Sequence, residues 1–229
     1  MKGDEETEET KGEEIYKYWK SRRTEYIFNQ GFLNFSNMDE DRVTQFYVPV
    51  VYGYIYIHAL HFDDKKVDFI LISRKDCRRL GRRFVCRGLD QEGNAANFAE
   101  TEQIIIEKGG RGQPHVIASY VQIRGSIPLI WTTTPNLKLN PRAKISSDKR
   151  LVSKAANSHF DSMIKDYKQI VCVNLVDMKG FQKNLGEEMD KVIADYKNPD
   201  LQYEWFDFHH ECRKLRYENI SILINKIDK

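Results

Sequence analysis

The sequence predicts a mixed α/β protein, β-rich first and alternating helix with strand afterwards. Three observations carry this. Residues 46–61, FYVPVVYGYIYIHALH, are dense in the β-branched and aromatic side chains that suit a pleated surface. Residues 170–176, IVCVNLV, form a continuous apolar run, the pattern of a strand covered on both faces. Apolar residues recur at helical spacing on either side of it. Ala156, Phe160, Met163, Ile164 and Tyr167 precede it; Leu185, Met189, Val192 and Ile193 follow.

Taken in order, residues 1–14 hold seven acids and two lysines, which predicts a disordered acidic tail. Residues 15–112 read as the β-rich subdomain. Tyr16, Trp19, Tyr26 and Phe28 suggest a helix over 15–30 that anchors on the core, and 31–42 reads as loop. The strand at 46–61 has Pro49 near its entry. A polar turn at 63–66 leads into a second strand, 67–73, so the pair is expected to be a hairpin. A short strand is expected at 84–86, then a turn at 89–94 in which Gly93 takes a positive φ, then a strand within 98–107. Residues 108–112, KGGRG, lack the Lys-Ser/Thr of a nucleotide-binding loop and read as a hairpin turn.

Residues 113–229 read as the α/β subdomain. Strands are expected at 116–124 and 127–133, a loop at 135–141 and a helix at 151–168. Strand 170–176, helix 181–196, strand 201–208 and helix 209–227 follow. No internal repeat is present.

Composition narrows the function classes. At 229 residues, 41% apolar and 12% aromatic, the chain can bury a real core. Cys77, Cys86, Cys172 and Cys212 form no C-x-x-C pair and no zinc-type spacing, so reduced thiols in a cytosolic protein are expected. The first residues are acidic rather than basic then apolar, which is not a signal peptide. No apolar run reaches the roughly 20 residues a spanning helix needs, so any membrane role is expected to be peripheral. A net charge of +2 with core-like aromatics gives nucleic-acid binding little support. No cofactor or metal is implied: Gly-x-Ser-x-Gly, His-Glu-x-x-His and the Rossmann fingerprint are all missing.

That net charge hides a local field. Arg74, Lys75, Arg78, Arg79, Arg82, Arg83 and Arg87 stand against one acid, Asp76, before Gly88. Two readings stay open. The run is a solvated face or pairs with Glu92, Glu100, Glu102 and Glu107. Alternatively it cradles phosphate, inositol phosphate or an anionic membrane surface. Cys77 and Arg83 satisfy the Cys-x5-Arg spacing of a cysteine phosphatase, whose loop amides and arginine grip phosphate oxygens. Long arginines fill the interval where close backbone amides are needed, and FVCRG follows rather than an apolar helix. Cys77 is therefore not assigned as a nucleophile. Arg124, in VQIRGSIP, ends a strand before Gly-Ser, where a side chain can point into a cleft or pair with a terminal acid. In 206–212, FDFHHEC, Asp207, His209 and His210 offer either a metal site or a helix cap with its neighbours.

Several segments together resemble one family. They are ISRKDCRRLGRRFVCRGLDQEGNAANFAETEQII, SYVQIRGSIPLIW, IVCVNLVDMKGFQKNLGEEM and FDFHHECRKLRYENI, spanning roughly residues 45 to 229. In content and order they resemble the Sac-domain phosphoinositide phosphatases. The resemblance implies a β-rich amino-terminal subdomain followed by part of an α/β phosphatase-like catalytic subdomain. It also implies hydrolysis of phosphate monoesters on membrane phosphatidylinositol phosphates through a phosphocysteine. No cofactor and no nucleic acid enters that chemistry. The partner it implies is a phosphoinositide membrane surface, with the protein cytoplasmic and peripheral to endomembranes or plasma membrane. The family's nucleophilic loop reads like Arg-Thr-Asn-Cys-x-Asp-Cys-Leu-Asp-Arg-Thr and lies beyond the segment resembling FDFHHEC, so no catalytic residue carries over. Arg82 stands where the family favours Thr, and Gln182 where it favours Glu. The family's first strands have no counterpart ahead of residue 15. Arg78, Arg83, Arg87, Arg124, Asn174, Asp207 and His209 are the expected contacts or supports of the anion site. The alternative is a non-catalytic phosphoinositide-binding or scaffold module.

Overall fold

A computed structural model describes residues 23–33, 48–62, 65–82, 85–107, 109, 116–134 and 142–228. The chain divides into two compact units. The first holds Met1–Arg78 with Ala99–Ile123; the second holds Arg79–Phe98 with Arg124–Lys229.

The first unit is built on one four-stranded sheet in the order β1-β2-β3-β4. Strand β1 (Gly53–Phe62) pairs antiparallel with β2 (Lys65–Lys75), which sets Tyr56 opposite Leu71. Strand β2 pairs antiparallel with β3 (Ala99–Glu107), and β4 (Val116–Arg124) completes the sheet. The expected hairpin is therefore present, although turn residues 63 and 64 lie outside the described residues, as does most of 108–115. Alternation along β1 puts Tyr54, Tyr56 and His58 on one face, with neighbouring ring centroids 6.4 and 5.8 Å apart.

Tyr26 anchors the unit. It belongs to a 3-10 turn (Thr24–Tyr26) and is buried, with the Arg74 guanidinium 4.2 Å above its ring. A short helix α1 (Gln30–Leu33) follows, where loop was expected from residue 31. The helix expected over 15–30 is a 3-10 turn and this single turn as far as it is described; residues 15–22 lie outside, as does the tail at 1–14.

In the second unit, residues 79–82 and 85–98 form a folded loop, and Val85 and Cys86 do not enter the strand expected at 84–86. The amides of Val85 and Cys86 both donate to the Arg82 carbonyl at 2.9 Å, so they close a turn instead of entering a ladder. Phe84 itself lies outside the described residues. Leu89 and Ala95 form an isolated bridge, and the Asp90 carboxylate accepts the Asn94 amide at 2.7 Å. Gly93 takes φ +92° there, as its turn requires. A side chain at Gly93 would meet Ala155 and His159 backbone at 2.8 Å. Leu89, Ala95, Ala96 and Phe98 are all buried, so this loop is core.

Residues 127–133 are only partly a strand. Ile127 to Ile130 bend because the Trp131 indole donates to the Ile127 carbonyl at 3.1 Å and buried Leu129 accepts the Leu89 amide at 2.8 Å. Strand β5 (Trp131–Thr133) then pairs with β6 (Ala143–Ile145), which the pattern did not suggest. The loop expected at 135–141 is outside the described residues.

Helix α2 (Lys149–Tyr167) begins at Asp148, whose carboxylate accepts the Leu151 amide at 3.1 Å. It buries Val152, Ala155, Ala156 and Phe160. Strand β7 (Ile170–Asn174) runs parallel to β8 (Leu201–Trp205), joined through helix α3 (Lys183–Tyr196). Leu185, Met189 and Val192 bury α3's inner face. Strand β7 is not covered on both faces as expected: Val171 is 46% exposed, and of the strand only Asn174 is buried.

The helix expected over 209–227 is broken. It becomes α4 (Phe208–Glu211), 3-10 turns at Arg213–Leu215 and Tyr217–Asn219, and α5 (Ile220–Ile227). Lys214 and Leu215 take φ values of 58° and 62°, which no right-handed helix contains. The Asn219 side chain donates to the Glu211 carbonyl at 2.7 Å, satisfying a helix end.

Candidate functional site

The expected site residues fall into three places. Asn174, Asp207 and His209 come together at the carboxyl ends of the parallel strands, where ligands bind in open α/β sheets. All three hold the same loop. The Asn174 side-chain carbonyl accepts the Val176 amide at 3.2 Å, and its amide donates to the Tyr203 hydroxyl at 3.0 Å. Asp207 accepts the Met178 amide at 2.9 Å and the His210 amide at 3.0 Å. His209 places Nδ1 2.7 Å from the Asp177 carboxylate. Trp205 adds a fourth tie, donating from its indole to the Val176 carbonyl at 2.8 Å.

Burial explains the division of labour. Asn174 and Asp207 are buried, so their polar atoms need fixed partners and find them in backbone amides and the Tyr203 hydroxyl. His209 is exposed. Asp207 is also the N-cap of α4, so the cap reading of 207–210 holds. Among the described residues no group of acids, histidines and cysteines is arranged to hold a metal. Burial, with the Asp190 carboxylate adding to it, pushes the Tyr203 hydroxyl well above its ordinary pKa against the opposing Asn174 hydrogen bond, so it stays neutral.

Arg87 and Arg124 flank one hydrogen bond. The Gly88 amide donates to the Ser126 hydroxyl at 2.8 Å, and the Ser126 amide donates to the Ala96 carbonyl at 3.1 Å. Gly88 takes φ +67°, and a Cβ there would lie 2.4 Å from the Leu129 carbonyl oxygen. Arg79 wraps the same turn, donating to the carbonyls of Arg87 at 2.9 Å and Gly88 at 3.3 Å. Arg87 is half-buried with its guanidinium 5.5 Å above the Trp131 ring. Arg124 is exposed and has no hydrogen bond or ion pair among the described residues.

Arg78 sits in the first unit as one half of a tight pair. Its guanidinium forks onto the carboxylate of buried Asp76, with Nε at 2.9 Å, and its amide takes the same carboxylate at 2.7 Å. Asp76 raises the Arg78 pKa accordingly. Arg74 is likewise engaged, donating from Nε and Nη2 to buried Glu100 at 2.9 and 2.6 Å, and Arg23 reaches that carboxylate at 3.0 Å. Much of the basic run is thus matched by acids and carbonyls within the fold. Arg83 lies outside the described residues.

Cys77 and Cys172 lack the surroundings of a nucleophile. Cys77 donates to the Ile27 carbonyl at 3.6 Å, and burial followed by the charge of Asp76 raises its pKa. Burial pushes Cys172 up to about 11. A thiolate nucleophile needs the opposite shift.

Residue types alone do not single out Ser126, Trp205 or Tyr203, and they place Arg79 only as one member of the basic run. The Gly-Ser after Arg124 was a usable signal for Ser126. The others act by backbone capture or at pairings between distant segments, which no local pattern shows.

The chain matches the family model described as SacI homology domain over residues 4–213. It is 38% identical over 202 residues to phosphatidylinositol-3-phosphatase SAC1-B of Danio rerio, covering 88% of this chain and 33% of that protein. It is 32% identical over 215 residues to phosphatidylinositol-3-phosphatase SAC1 of Saccharomyces cerevisiae, covering 92% and 34%. Phosphoinositide phosphatase SAC6 of Arabidopsis thaliana is 30% identical over 210 residues, covering 92% and 34%. The chain spans about a third of the length of these curated relatives.

Proposed function

We propose that this chain, which belongs to the SacI homology domain family, is the phosphoinositide-recognising part of a phosphatase acting on phosphatidylinositol phosphates. In the complete protein a cysteine thiolate attacks phosphorus, the bond to the inositol oxygen breaks, and water then releases phosphate from the phosphocysteine. The nucleophile belongs to a Cys-x5-Arg loop outside these residues. The two shifted thiols here, Cys77 and Cys172, are raised rather than lowered.

The observation that carries this reading is the turn linking Gly88 to Ser126. Its glycine backbone and hydroxyl bring Arg87 and Arg124 to one feature of the second unit, with Arg124 exposed. An exposed guanidinium beside a rigid turn suits a phosphate monoester, which it can meet with two parallel donors. Asn174, Asp207 and His209 act as supports. They hold residues 176–178 at the strand ends rather than meeting the anion themselves.

A second reading is a non-catalytic phosphoinositide-binding module, favoured by the same arginine-bearing turn standing on a chain whose shifted thiols are poor nucleophiles. Phosphate release from short-chain phosphatidylinositol phosphates separates the outcomes. The 229-residue chain is expected to release none, and a version extended through a Cys-x5-Arg loop is expected to be active. Inactivity of the extended protein would favour the binding module. Release by the chain itself that disappears in Cys77→Ser would overturn the assignment of the nucleophile.

A further inference from the structure

The segment Arg213–Leu215 with Arg216 and Tyr217 is an exposed stretch in which apolar and cationic side chains alternate. Leu215 is 75% exposed and Tyr217 54% exposed. They alternate with Arg213, Lys214 and Arg216, all exposed and without an ion pair among the described residues. Glu218 is the one acid alongside.

The fold holds this segment out. Lys214 and Leu215 are consecutive non-glycine residues in the left-handed region, at φ 58° and 62°. Buried Cys212 and the Asn219 to Glu211 hydrogen bond tie the two ends of the excursion. An apolar side chain projected by a costly backbone would ordinarily fold inward; here it is presented to solvent with cations on both sides.

The segment follows α4, which leaves the carboxyl end of β8, so it lies on the side of the sheet where the loop after β7 is held. That loop exposes Leu175 and Met178. Apolar tips with an aromatic, ringed by cations, match an anionic bilayer surface: the tips enter the headgroup boundary and the cations meet lipid phosphates. Among the described residues no helix is long and apolar enough to cross a membrane, and a peripheral contact needs none.

We propose that residues 213–217 are a bilayer-docking element for anionic lipid, with Leu215 and Tyr217 inserting and Arg213, Lys214 and Arg216 pairing with headgroups. This site is separate from the Arg87 and Arg124 turn, and it requires no phosphoinositide.

The test is co-sedimentation of the 229-residue chain with phosphatidylcholine vesicles, with and without phosphatidylserine. Binding is expected only with phosphatidylserine. Replacing Arg213, Lys214 and Arg216 together by Ala is expected to weaken it about a hundredfold, at roughly fivefold per cation. Leu215→Asn is expected to weaken it about tenfold by removing the apolar tip. Asn tolerates the left-handed backbone, so an unchanged thermal melt shows that the loop survives. Failure to bind phosphatidylserine vesicles overturns the proposal, as does binding that both variants retain. Self-association that Leu215→Asn abolishes, without vesicle binding, also overturns it and makes the segment a protein contact. None of these outcomes depends on phosphate release, so the phosphatase reading is tested separately.

Discussion

The Asp207 carboxylate, just after β8, accepts the Met178 amide at 2.9 Å, joining the loops at the carboxyl ends of the two parallel strands. The other carboxylate oxygen accepts the His210 amide at 3.0 Å, so one buried acid both caps α4 and holds the neighbouring loop.

Asp207→Ala leaves two amides without their acceptor. The expected loss of stability is about 2 kcal/mol. Asp207→Asn keeps one side-chain oxygen acceptor and is expected to lose less. Urea denaturation measures both, and equal losses would mean that the hydrogen bond Asn retains contributes nothing.

Arg78 and Arg124 are expected to separate stability from binding. Arg78→Ala strips the guanidinium from buried Asp76 and is expected to cost about 2 kcal/mol, discounted because Arg78 is itself part exposed. Changing Asp76 to Asn in the same protein is expected to recover part of that cost. Arg124→Ala removes a side chain without a described partner and is expected to leave the melt within about 0.5 kcal/mol of the parent.

Gly186→Ala tests the packing of α3 on β8. In an open helix the change would gain about 1 kcal/mol of propensity. At Gly186 the added carbon would lie 2.2 Å from the Trp205 ring, and such overpacking costs about 1–3 kcal/mol or more. A net loss is expected by thermal unfolding. A gain would mean that the Trp205 ring moves aside freely.

Glu188 supplies a pH signature. Lys149 and Lys191 hold its pKa below the ordinary carboxylate value, chiefly through side-chain hydrogen bonds, Lys191 at 2.8 Å. A depressed acid contributes stability that is present above its unfolded pKa and lost as pH falls through the folded one. Glu188→Gln is therefore expected to cost about 0.5 kcal/mol at neutral pH. That difference should vanish in acid below the normal glutamate range. A gap between the two proteins that persists there would contradict the pairing.

Much of the architecture was legible because it depends on local pattern. Strand β4 and helices α2 and α3 follow from period and apolar spacing, and Gly93 from turn chemistry. The missed elements were decided by contacts at a distance. Residues 84–86 look like a strand by composition, but the Arg82 carbonyl captures the amides of Val85 and Cys86. Residues 209–227 look like one helix by spacing, but Lys214 and Leu215 turn left-handed and Asn219 closes the preceding end. The basic run shows the same limit at the site. Sequence lists its charges, while Asp76 and Glu100 determine which of them remain available, and both acids are buried by folding.

The account rests most heavily on recognition of a phosphoinositide phosphate by Arg87 and Arg124. Equilibrium binding of short-chain phosphatidylinositol monophosphate to the 229-residue chain measures it directly. Saturable binding is expected, absent for phosphatidylinositol without the phosphate. A bidentate charged contact accounts for about 2 kcal/mol, so Arg124→Ala should weaken it by more than about tenfold. Binding that ignores the phosphate, or that survives Arg124→Ala and Arg87→Ala unchanged, would contradict the account.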